Sequence, residues 1–166
     1  QLAHAMGLRV FGTARSDWKL ARIAALAPAT LVDVTKQDFV DIVQSATGGV
    51  EYIVDLVGGD YFEKNIHAAA TLGRIRVGGL VAGARARLDM RMLLNKRLTV
   101  VGTVLRARLL AEKIEVAQTF EREALHWLAW GRIKPVVDQV LDMTDVQEAH
   151  RIAKANSAVG KIVLRW

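Results

Sequence analysis

The sequence predicts an α/β fold with a doubly wound, mostly parallel sheet, and three observations carry that prediction. Short β-type runs alternate with helical stretches about every 10–15 residues, the spacing at which parallel strands are joined by helical crossovers. Glycine pairs or capping residues punctuate the boundaries between them. Hydrophobic residues make up 52% of the 166 and charged residues 24%, with only 2 Pro, which is the composition of a packed core and excludes disorder as the dominant state. The length suits one domain over 1–166.

Residues 1–6, with apolar Leu2, Ala3, Ala5 and Met6, read as helix, and Gly7 tolerates the left-handed conformation past a helix end. No capping residue or initiator Met precedes them, so the chain is expected to start inside a helix of a longer protein. Residues 8–13 are expected as a strand, and Ser16 as the cap of a helix with Leu20, Ile23, Ala24 and Leu26 on one face. A strand over 30–34 and a helix over 36–46, with Phe39, Ile42, Val43 and Ala46 in register, come next. After Gly48-Gly49, the apolar run at 51–57 predicts a buried strand. A helix over about 61–70 leads through Thr71-Leu72-Gly73 to a strand over 74–79. The remaining elements are a short helix near 90–94, a strand over 98–105 and a long helix over 109–130 that Gly131 ends. A strand over 136–141, a helix near 146–155 and a last strand over 161–164 complete the chain.

Zero Cys removes disulfide scaffolds, cysteine-based zinc sites and thiol nucleophiles, and makes a cytoplasmic location the expectation. No run of about 18 apolar residues and no signal-peptide pattern occurs, so no membrane partner is expected. With 23 Lys+Arg against 17 Asp+Glu, the net charge of +6 favours anions without selecting one. The basic residues are spread along the chain and the aromatics are not interleaved with them, which disfavours nucleic acid. His4, His67, His126 and His150 are isolated from one another, and no metal-ligand set is expected. Asp142 and Asp145 read as helix caps, Trp127 and Trp130 as packing residues, and Tyr61 with Lys64 as surface helix.

Ligands of open α/β sheets bind beyond the carboxyl ends of the strands, and four such places stand out. In Thr13-Ala14-Arg15-Ser16-Asp17-Trp18-Lys19, the residues Arg15, Ser16 and Lys19 are suited to a phosphate near a helix N-terminus. An acidic residue at that strand end would suit a ribose 2′-hydroxyl, as in NAD binders. Ala14 stands there and Arg15 follows, which favours a 2′-phosphate and hence NADPH, a solvated basic helix start being the plain alternative. The second and third places are Gly58-Gly59 after Val57 and Gly78-Gly79-Leu80 after Val77. Such pairs admit close backbone approach, though ordinary turns use them too. The fourth is Gly102 followed by Leu105-Arg106 and Arg108.

Taken in order, the segments 1–7, 13–19, 55–61, 73–80, 102–108, 134–138, 148–150 and 160–164 resemble the zinc-independent quinone oxidoreductases of the medium-chain dehydrogenase/reductase superfamily over essentially the whole chain. The resemblance implies a Rossmann-type nucleotide-binding domain. Its first strand, its glycine-rich turn and the N-terminal substrate domain would lie upstream of Gln1, with the last ~30 residues packing back toward that domain. Ser16 and Lys19, with Arg15 nearby, would hold the 2′-phosphate, and Val57, Gly78, Gly79 and Leu80 would lie along the adenosine and nicotinamide. Leu105 and Arg106 would sit on the nicotinamide side, and Thr13 and Gly58 complete the cofactor set. The resemblance also implies a homodimer through the strand near 98–104. Val34 and Ala158 depart from the family pattern, where Tyr and Asn are common.

The implied reaction is hydride transfer from NADPH to a quinone or another conjugated acceptor, by an enzyme of which this chain alone lacks half the cleft. The cofactor supplies the chemistry, and no catalytic side chain is named. Two alternatives stand beside it: an enoyl thioester reductase of the same superfamily, and a non-catalytic nucleotide- or RNA-binding module.

Overall fold

The computed structural model describes residues 1–166 and contains only parallel strand pairs. In chain order the elements are α1 (Leu2–Ala5), β1 (Phe11–Ala14), α2 (Asp17–Ala24), β2 (Thr30–Asp33), α3 (Phe39–Thr47), β3 (Val50–Asp55) and α4 (Tyr61–Ala68). Then follow β4 (Ala69–Val77), α5 (Met90–Lys96), β5 (Thr99–Gly102), α6 (Leu110–Ala129), β6 (Val137–Asp142), a 3-10 turn (Met143–Asp145), α7 (Val146–Lys154) and β7 (Lys161–Arg165). A parallel pair cannot be closed by a tight hairpin, which is why a helix separates each strand from the next. The result is a Rossmann-like α/β fold, and the chain divides into two compact units, Gln1–Asp33 with Ala117–Trp166, and Val34–Val116.

The first unit carries the pairs β1–β2 and β6–β7. Three polar contacts tie residues distant in sequence. The Gln1 amide donates to Lys134 O (3.0 Å) and accepts from Lys134 N (2.8 Å), so one side chain mimics a backbone pair. Arg22 and Asp138 form an ion pair at 2.6 Å, with the Asp138 side chain almost fully covered. Lys19 reaches the backbone and side-chain oxygens of Asn156.

The second unit is a three-stranded sheet in the order β3-β4-β5, with Ile66, Ala69 and Ile75 as its buried centre. Phe62 from α4, Met92 from α5 and Ile53, Val77 and Leu98 pack around that centre, so one sheet face is covered by α4 and α5. Lys96 Nζ donates to the carbonyls of Ile66 (3.0 Å), His67 (2.8 Å) and Ala69 (2.7 Å) at the junction of α4 and β4, where His67 O also accepts from Gln44 Nε2 (2.7 Å). Burial pushes this ammonium below the usual lysine range.

Several elements differ from the sequence expectation. The run at 51–57 is not buried throughout: Asp55 is buried, but Tyr52 and Val54 face outward, with Val54 64% exposed. Successive side chains of a strand point to opposite faces, and the face of β3 opposite α4 and α5 is open within its unit. The strand at 8–13 is displaced to Phe11–Ala14, because pairing begins only where Phe11 meets Thr30. Between Val50 and Tyr52 the β3–β4 register jumps from Ala69 to Arg74, and Leu72 takes φ +64 in the excursion. Asp142 and Asp145 occupy cap positions without making a cap hydrogen bond, and Asp142 instead accepts from Arg165 at 2.8 Å and 3.1 Å. Trp130 is 67% exposed and not packed in a core; the His126 ring stands at 4.9 Å and the Arg132 guanidinium over its face at 5.8 Å.

Asp38, not a residue at the start of the expected 36–46 helix, caps α3 by accepting from Val40 N at 2.9 Å. It also accepts from Lys64 at 2.8 Å, and these two bonds, Lys64 first, hold its carboxyl below the usual 3.8. A carboxylate with a depressed folded value stabilises the fold above its unfolded value and loses that contribution as pH falls below about 4. Asp38→Asn is therefore expected to flatten the acid limb of stability against pH while changing stability at pH 7 by only about 0.2–1 kcal/mol, as for exposed pairs. Urea unfolding at pH 7 and at pH 3 checks this; a variant that keeps the wild-type difference between the two contradicts it.

Candidate functional site

In the first unit, β1 ends at Ala14, Arg15 makes the bend, and Ser16 is the extended residue (φ −158°, ψ 133°) from which α2 starts. Leu20 N closes the first helical bond on Ser16 O at 3.1 Å. The amides preceding it point out of the helix end, the arrangement that attracts anions. Ser16 stands at the expected cap position, but its hydroxyl makes no cap bond. Thr13 and Arg15 are exposed, and the Arg15 guanidinium enters no ion pair, while Ser16 and Lys19 are half-buried. Ser16 and Lys19, three apart, share a helix face. Asp17 places a carboxylate in the same first turn, so the cationic character of this end rests on Arg15 and Lys19.

In the second unit the three strands stop in one row, because Asp55 is paired with Val77 and Val77 with Gly102. Their carboxyl ends therefore lie along a single sheet edge, where parallel sheets place ligands. Asp55 organises that edge. Its Oδ1 accepts from Val57 N (2.8 Å) and Gly58 N (2.9 Å). Its backbone O accepts from Gly78 N (2.8 Å) and Gly79 N (3.3 Å). The carboxylate is buried, and Oδ2 has no hydrogen-bond partner.

The turn after β3 is further locked by Ala82 N on Val57 O (2.8 Å) and Gly59 N on Gly83 O (3.1 Å). Gly58 and Gly59 adopt φ +68 and +57, which a residue with a Cβ takes only with strain. Gly79 is required for a different reason: a Cβ there would stand 2.3 Å from Leu56 O. Val57, Gly58, Gly78, Gly79 and Leu80 are thus brought together, with Gly78 and Leu80 exposed. Leu105 and Arg106 lie beyond the end of β5 in a separate exposed turn. There Arg108 Nε donates to Val104 O (3.0 Å) and Lys113 Nζ to Arg106 O (3.1 Å), leaving the Arg106 side chain exposed.

Two residues that were not among the expected site residues emerge from this geometry. Asp55 was legible as an Asp three residues before a glycine at a strand end, a pattern that favours a side-chain-to-backbone turn. Asn156 carried no local signal, because its partner Lys19 lies 137 residues away.

A family model described as zinc-binding dehydrogenase matches residues 28–164. Quinone oxidoreductase-like protein 2 of Bos taurus is 30% identical over 118 residues, covering 71% of this chain and 34% of that protein. Among solved structures, an NAD-dependent alcohol dehydrogenase superposes with a TM-score of 0.80 at 32% identity, over 99% of this chain and 46% of the other. An Escherichia coli quinone oxidoreductase complexed with NADPH gives 0.78 at 27%, over 98% and 51%. The chain spans about a third of the length of the bovine relative and about half that of the two solved chains. The family description names zinc, but this chain has no Cys and no group of three or more His, Asp or Glu side chains placed to hold a metal, so its own residues do not fit a zinc site.

Proposed function

The chain belongs to the zinc-binding dehydrogenase family of the medium-chain dehydrogenase/reductase superfamily, and from that premise we propose that it is the nucleotide-binding part of an NADPH-dependent reductase acting on a quinone or similar conjugated acceptor. The observation that carries the cofactor reading is the end of β1, where Ala14 is followed by exposed Arg15 and no carboxylate closes the strand. A ribose 2′-hydroxyl is met by an acidic residue at such a strand end, whereas a 2′-phosphate is met by a guanidinium. Arg15, Ser16 and Lys19 are assigned to that phosphate, with Thr13 beside them.

In the second unit, Val57, Gly58, Gly78, Gly79 and Leu80 are assigned to the adenosine and nicotinamide, and Leu105 and Arg106 to the nicotinamide side. The fit to a flat ring system is supported by the exposed backbone of Gly78 and the exposed Leu80, held in place by the Asp55 hydrogen bonds. When bound, the cofactor supplies a hydride; the residues assigned here bind and orient it. No side chain is assigned a proton transfer. β5 pairs only with β4, and its other edge carries no ladder, which supports pairing with a second copy of the chain.

Replacing Arg15 or Lys19 with Ala is expected to raise the KM for NADPH about tenfold while leaving that for NADH within about twofold, since only the former loses a charge-assisted contact. Steady-state assays with a naphthoquinone and with an enoyl thioester, each with both cofactors, test the cofactor and acceptor assignments together. Equal effects on NADPH and NADH would remove the 2′-phosphate reading, and turnover of the thioester alone would move the acceptor to the enoyl reductase class.

A further inference from the structure

Lys19 is already engaged. Its ammonium donates to Asn156 O at 2.5 Å and to Asn156 Oδ1 at 2.8 Å, and it stands 5.3 Å from the centre of the Trp18 ring. A lysine has three N–H donors, and the two Asn156 oxygens take two of them while the Trp18 ring lies beside the charge. Arg15, by contrast, is exposed and enters no ion pair, and the Ser16 hydroxyl makes no cap bond. A phosphate at the start of α2 can therefore recruit Arg15 and Ser16 without loss, but for Lys19 it competes with the two Asn156 oxygens that already hold the ammonium.

The partner is itself held in an unusual place. Asn156 lies in the turn between α7 and β7 at φ +51, a left-handed conformation that Asn tolerates better than most residues. The conformation presents both its carbonyl and its side-chain oxygen to the same ammonium. We propose that Asn156 is a specificity-determining residue: its Oδ1 competes with the cofactor's 2′-phosphate for Lys19 and so sets how strongly NADPH is preferred over NADH. The inference rests on the assignment of Arg15, Ser16 and Lys19 to that phosphate. The exchange favours the phosphate, because a charged acceptor binds an ammonium more strongly than a neutral amide oxygen does, but the preference is smaller than it would be with a free lysine.

The test uses two substitutions of opposite sign. Asn156→Gly removes Oδ1, keeps the backbone acceptor and suits the positive φ, so it leaves the turn intact. Asn156→Asp replaces the neutral oxygen with a carboxylate and strengthens the hold on Lys19. Calorimetric titrations with adenosine 2′-monophosphate and adenosine 5′-monophosphate read binding without turnover. Asn156→Gly is expected to bind the 2′-phosphate about threefold to tenfold more tightly, and Asn156→Asp about tenfold more weakly, with the 5′-phosphate changed less than about twofold in either.

A 2′-phosphate affinity in Asn156→Gly equal to or below that of the wild type overturns the competition, as does an equal change for both ligands. The underlying assignment is read separately. If Lys19→Ala abolishes a 2′-phosphate preference that Asn156→Gly leaves unmoved, the competition alone fails. If the wild type shows no such preference and Lys19→Ala changes nothing, the phosphate assignment fails and takes the competition with it.

Discussion

Asp55→Ala is expected to lower the stability of the protein by about 2–4 kcal/mol and to weaken cofactor binding, because two backbone amides lose their acceptor and each unsatisfied buried group costs about 1–3 kcal/mol. Oδ1 serves Val57 N and Gly58 N at 2.8 Å and 2.9 Å, and Gly58 is buried. The backbone carbonyl of the same residue holds Gly78 and Gly79, so a shift of the Asp55 main chain is passed to the second turn. Asp55→Asn separates the hydrogen bond from the charge. It keeps an acceptor at Oδ1 and replaces Oδ2, which is buried without a partner, by a neutral amide. That variant is expected to stay within about 1 kcal/mol of the wild type, since a buried oxygen without a donor contributes no compensating bond. Urea unfolding and NADPH fluorescence titration of both variants check the pair. A wild-type midpoint for Asp55→Ala would show that the carboxylate does not hold the edge, and equal damage from Asp55→Asn would show that it does so through its charge and not through the acceptor oxygen alone.

Gly79→Ala should be comparably severe for a steric reason. The new Cβ would meet Leu56 O at 2.3 Å and Leu56 Cα and C at 2.9 Å, all main-chain atoms that no rotamer change can move. Relief requires the ends of β3 and β4 to part, which breaks the bonds of Gly78 N and Gly79 N to Asp55 O. Overpacking of this kind costs about 1–3 kcal/mol even where side chains can yield, so a loss of about 3 kcal/mol or more is expected here. Gly102→Ala is the control at the end of the neighbouring strand, where a Cβ meets nothing within 4 Å. It should change stability by no more than about 0.5 kcal/mol. Thermal unfolding of the two variants side by side tests the argument, and equal midpoints would refute it.

Much of this architecture is legible along the chain. The helix of residues 109–130 is found at Leu110–Ala129, and Gly58-Gly59 and Gly78-Gly79 mark the ends of β3 and β4. These features are set locally, by a 3.6-residue period or by a backbone conformation that only glycine takes without strain. Ser16 shows where local reading stops. Its position at the start of α2 follows from its residue type, but whether its hydroxyl turns to the helix depends on surroundings that the sequence does not state, and it does not turn.

The alternation of strand and helix, the parallel pairing that follows from it, and the chemical types of residue at each strand end are therefore readable from residue order alone. Which side of β3 is covered is settled by packing, since an apolar run reads the same whether one face or both are packed. Only the tertiary structure aligned Asp55, Val77 and Gly102 in one row and gave a single aspartate the amides of two turns. It alone placed Asn156 on Lys19 across 137 residues of chain. The physical reason is common to all three: periodicity and turn chemistry act over a few residues, whereas register, face coverage and the choice of hydrogen-bond partner are fixed by segments that meet only when the chain has folded.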